Sequence, residues 1–122
     1  MQRTLVVLFA LMLVVANLLF TTPVLADDAH GCMHEPTIQA LRDCVSHAVH
    51  AGHITNQGVA NSLLAKLDAA QAALDRGQSD VAINNLKAFV RAVEAQAGKH
   101  VVAEHAAHMA THAQHVIDAL RQ

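Results

Sequence analysis

The chain has 122 residues, 53% of them apolar, and a formal net charge of −2 with its ten histidines neutral. Eight Lys and Arg against ten Asp and Glu leave no basic footprint for nucleic acid or for an anionic membrane surface. Trp and Tyr do not occur, so a stacking platform for sugars or bases is missing too.

The first 26 residues read as an export signal. Arg3 gives a short positive start, Leu5 to Phe20 is apolar apart from Asn17, and Val24-Leu25-Ala26 places small residues before a cut at Asp27. That apolar run, at 1.5 Å rise per residue, falls short of a hydrocarbon core of roughly 30 Å, which disfavours a retained anchor. The expected product is secreted or periplasmic, free of the membrane once the signal is cut. It has an N-terminal arm at residues 27–35 and a single domain at residues 36–122.

Cys32 and Cys44 are the only cysteines. In an exported chain they are expected to pair as a disulfide tying the arm to the first helix. A second reading takes Cys32-Met33-His34 and Cys44-Val45-Ser46-His47 as two short ligand pairs for zinc or copper, although neither the CxxC of a zinc finger nor the CxxCH of a c-type haem site is present.

Four stretches then repeat apolar residues at helical spacing, and none alternates with period two, so the expected class is all-α: a small antiparallel bundle of four helices. The first, about residues 36–51, follows Pro36, lines up Ile38, Leu41, Val45, Ala48 and Val49, and stops at Gly52. The second, about 56–76, carries Val59, Leu63, Leu67, Ala70 and Leu74 and ends at Gly77. The third, about 79–97, takes Ser79 as N-cap and Ile83, Leu86, Val90, Val93 and Ala97 as its seam. The last, about 101–120, turns Val102, Ala106, Met109, Ala113, Val116 and Leu120 to one side. Abundant alanine, with Phe89 the one aromatic residue after the signal, implies a thin core and close helix axes.

Beside the seam of that last helix run His105, His108, His112 and His115, within a stripe about 80° wide on a helix turning 100° per residue. Histidine ligates metals and changes charge near neutrality, so the stripe marks a candidate site. His108 and His112, one turn apart, are the central pair for zinc, copper or nickel; His105, His115 and Glu104 are the outer candidates. Four residues over nearly three turns cannot all meet one ion without a second helix. The bland alternative is a row of amphipathic fillers bonded to nearby carbonyls.

The strings Gly52-His53-Ile54-Thr55-Asn56-Gln57-Gly58-Val59, Ser62-Leu63-Leu64-Ala65-Lys66-Leu67, Ala82-Ile83-Asn84-Asn85-Leu86-Lys87-Ala88-Phe89 and Glu94-Ala95-Gln96-Ala97-Gly98-Lys99-His100 resemble the FIMAH domain over about residues 52–117. That resemblance implies a small helical accessory module of secreted bacterial proteins, many of them glycan-degrading enzymes, and no activity of its own. Two departures stand out: histidines replace the alanines, leucines and small polar residues expected on the last helix, and a cysteine-bearing first helix stands where a catalytic domain is expected. Both concentrate any distinct function on the last helix.

Enzymatic readings lack their residues. Ser46, Ser62 and Ser79 have no nucleophile elbow, the His108/His112 pair encloses Ala110 and Thr111 where a zinc protease has its glutamate, and no glycine-rich phosphate loop occurs. The expected function is therefore an exported, non-catalytic protein that binds a divalent transition metal through the stripe. The alternative is an accessory module that docks to a protein or cell-surface partner, with pH-sensitive histidines and no specific metal.

Overall fold

The computed structural model describes residues 35–122; the proposed signal peptide, most of the arm, and Cys32 lie outside the described residues. Four helices follow, α1 at Ile38–His50, α2 at Gln57–Asp75, α3 at Ser79–Gln96 and α4 at Ala103–Leu120, with no strand among the described residues. No helix there is long and apolar enough to cross a membrane.

The ends of the helices follow from local chemistry. Thr37 caps α1, its hydroxyl accepting from Ala40 N–H at 3.1 Å, and Asn56 caps α2 through Val59 N–H at the same distance. Both of these helices end in the same way. Gly52 has φ +77° and donates to the Val49 carbonyl while His53 donates to that of Ala48; Gly77, at φ +72°, donates to Leu74 and Gln78 to Ala73. This paired closure needs a left-handed residue, which glycine adopts without Cβ strain.

Two N-termini differ from expectation. Gln78 rather than Ser79 is the cap of α3, and it makes no side-chain bond to the helix. Helix α4 begins two residues late, because the backbone at 100–102 is engaged elsewhere: Thr55 N–H donates to His100, Val102 N–H to His53, and Ile54 and Val101 form an antiparallel bridge. These bonds tie the α1–α2 connection to the α3–α4 connection.

The helices form a ring in which α1 packs on α2, α2 on α3, α3 on α4, and α4 returns to α1, the α2–α3 and α3–α4 faces being the most extensive. The centre is filled by Phe89, Leu41, Leu63, Leu67, Leu86 and Met109, all fully buried. Two seams are rotated from the expected register. On α2 the buried row is Ala60, Leu63, Leu67, Ala70 and Ala73, with Val59 and Leu74 only partly covered. On α3, Phe89 takes the central place expected of Val90. An inner helix with a partner on each side buries the row between both contacts, and alanines there let the axes approach. On α4, Val102 is 43% exposed, and Ile117 is buried where Leu120 was expected to be.

Candidate functional site

The tied connections bring chemistry-bearing side chains to one end of the bundle. His53 is the third residue past α1, and its position is set by the glycine closure and by both of its backbone groups, the N–H to Ala48 at 2.8 Å and the carbonyl from Val102 at 2.9 Å. His105 lies in the first turn of α4. The two imidazoles stack face to face with ring centroids 3.6 Å apart and planes inclined by 24°, and both rings are half-buried. His47 and His50, exposed in the last turn of α1, and exposed His100 occupy the surrounding surface.

The stripe on α4 does not present one common face. His112 is 8% exposed, and its Nε2 donates to the backbone carbonyl of Glu35 at 2.8 Å, pinning the chain three residues before α1 against α4. That bond assigns the proton to Nε2, which leaves Nδ1 as a buried acceptor with no partner among the described residues. His108, one turn earlier, is about half exposed, with Nε2 3.9 Å from a Glu104 carboxylate oxygen, the outer limit of an ion pair. His115 is exposed. The expected central pair, His108 and His112, is thus divided between solvent and core, and His105 turns to His53. Among the described residues no three His, Cys, Asp or Glu side chains stand close enough to share a metal ion.

Cys44 is fully buried on α1 beside Leu41 and Val45, and Cys32 lies outside the described residues. A separate groove of about 310 Å3 runs between the start of α2 and the end of α3. Val59, Leu63 and Ala92 form its apolar floor, Asn56, Ser62 and Gln96 its polar edge, and no ionisable side chain lines it.

Two participants were missed by residue spacing. His53 is 52 positions from its ring partner, so no helical period links them; the one local signal is Gly52, which holds the following residue in a defined place. The Glu35 carbonyl is a backbone group and leaves no trace in residue type.

The FIMAH domain family model matches residues 38–118. The match starts at the first residue of α1, whereas the resemblance read from residue strings began at Gly52, so the cysteine-bearing helix falls inside the family's extent. Neither the curated proteins nor the solved structures contain a match.

Proposed function

Because the chain belongs to the FIMAH domain family, we propose that it works as an exported, non-catalytic accessory module that docks to a protein or cell-surface partner. The observation that carries this reading is the extent of the match, which takes in all four helices and hence the whole packed unit. Its surface chemistry supports docking over turnover: the groove between α2 and α3 has polar amides and a hydroxyl over an apolar floor, without an acid, base or nucleophilic pair. Ligation of zinc, copper or nickel by His108, His112, His115 and Glu104 has less support, since His112 is engaged with Glu35 while the others face solvent.

A disulfide between Cys32 and Cys44 belongs to the same reading. It is supported by the complete burial of Cys44 and by the docking of Glu35, where the described residues begin, against α4.

The test is retention of the purified, labelled protein on envelope fractions and intact cells of its source. Saturable retention, displaced by unlabelled protein, is expected. Absence of retention on both, together with turnover of any substrate in the same fractions, would overturn the proposal.

A further inference from the structure

The end of the bundle where the two connections are tied carries a group of histidines on its surface. His47 and His50 stand three residues apart in the last turn of α1, and His100, whose carbonyl accepts from Thr55 N–H at 2.9 Å, lies beside the chain that leaves that turn. All three side chains are exposed. We propose that this end is a docking surface switched on by acidification, and that its partner is an anionic cell-surface polysaccharide. The inference rests on the docking reading and adds to it the chemistry of the partner and the control of the contact.

Histidine on a surface is neutral in mildly alkaline solution and takes up a proton as the pH falls through about 6.5. The fixed charges nearby decide what those protons do. On α1, Asp43 lies one turn before His47; α2 has no ionisable residue before Lys66; α3 brings Arg91 and Glu94, and the α3–α4 connection brings Lys99. Helix α4 adds Glu104, with His108 3.9 Å from it, and the stack of His53 and His105 is half-buried at the same end. Arg91 and Lys99 against Asp43, Glu94 and Glu104 leave one net negative charge, and protons on His47, His50 and His100 turn it to two net positive charges. The helix ends do not alter this, because two carbonyl ends, of α1 and α3, offset two amide ends, of α2 and α4. At the far end Asp75, Asp80 and Asp118 outnumber Arg76 and Arg121, so the reversal of sign is local and orients the module.

The same surface has little else with which to hold a partner. Among the described residues the exposed large hydrophobics are Val81, at the far end, and Val102. One valine is too little for insertion into a membrane or for the buried anchors of a protein interface. Phe89 is fully buried, so no aromatic face is open to a neutral sugar. Charge without an apolar floor suits a hydrated polymer whose carboxylates are still ionised when imidazole is protonated, a window of about pH 4.5 to 6.

The experiment measures retention of the purified protein on immobilised polygalacturonate at about pH 5.5 and about pH 7.5, with dextran as the neutral polymer and phosphatidylglycerol vesicles as the anionic lipid. Retention on polygalacturonate at the lower pH is expected, at least about tenfold weaker at the higher pH and lost in about 0.5 M salt. The triple variant His47→Gln, His50→Gln, His100→Gln should lose that retention and keep the wild-type melting temperature. Lysine at the same three positions should give retention at both pH values, and His115→Gln should behave as wild type. Equal retention at both pH values, a triple glutamine variant that binds as wild type does, equal binding to dextran, or tighter binding to the vesicles than to the polymer would overturn the proposal. Retention on envelope fractions without any on polygalacturonate would overturn it too and leave the docking reading standing.

Discussion

His112 shows how one position on a helix can leave the company of its sequence neighbours. It shares a stripe with His108 and His115, yet it is the one buried polar residue among those described, and its ring joins α4 to Glu35 across 77 positions of chain. Replacing it with alanine removes a buried ring and a hydrogen bond together. We expect His112→Ala to cost ~1–3 kcal/mol in chemical denaturation, with faster hydrogen exchange in the segment leading into α1. Exposed His108 and His115 should each tolerate alanine within about 0.5 kcal/mol. Equal costs at all three would mean that the Glu35 bond contributes nothing. The stripe itself was legible from spacing of three, four and three residues. Which member faces inward was not, because the apolar seam and the stripe share a border, and a rotation of a few tens of degrees decides the side.

At the scale of the element, the helices are bounded by few residues and carried by burial. Surface rows add support through amide-to-acid pairs one turn apart, Gln39 with Asp43, Gln71 with Asp75 and Gln114 with Asp118, each at 2.9–3.0 Å. The Arg42–Asp68 ion pair links α1 to α2 across the surface. Leu67 and Leu86 are fully buried, and truncation of either to alanine should cost about 2 to 4 kcal/mol, read from denaturant unfolding. A neutral Leu86→Ala would contradict the packed ring. Helix α4 offers the opposite test. Its cap, Val102, gives no side-chain bond to the first turn and is largely exposed, so Val102→Ser should raise stability by about 0.5–2 kcal/mol, seen as a higher melting temperature. Glycines at 52 and 77 announced the ends of α1 and α2 in the sequence, since each closure needs a left-handed residue. The late start of α4 had no such marker; it results from bonds to residues nearly fifty positions away.

For the whole molecule, the arm and the bundle are the two parts whose relation matters. If the chain is exported and bridged as proposed, intact mass should show a protein beginning at Asp27 with no free thiol, and reduction should lower stability by about 3 kcal/mol for a loop this short. A product retaining Met1, or one with two reactive thiols, would remove that part of the proposal. What the sequence by itself determined was the class: period-3.6 apolar rows, glycines at turn positions and the FIMAH strings led to four helices, and the family match over residues 38–118 agrees. Those signals are local, because helix periodicity and turn chemistry operate within a few residues of each other. Only the tertiary structure decided that His112 meets Glu35 and His53 meets His105, and that α2 buries Ala60 and Ala73 in preference to Val59 and Leu74. Those outcomes depend on how four helices rotate to exclude water from one shared centre, a condition that no single helix contains.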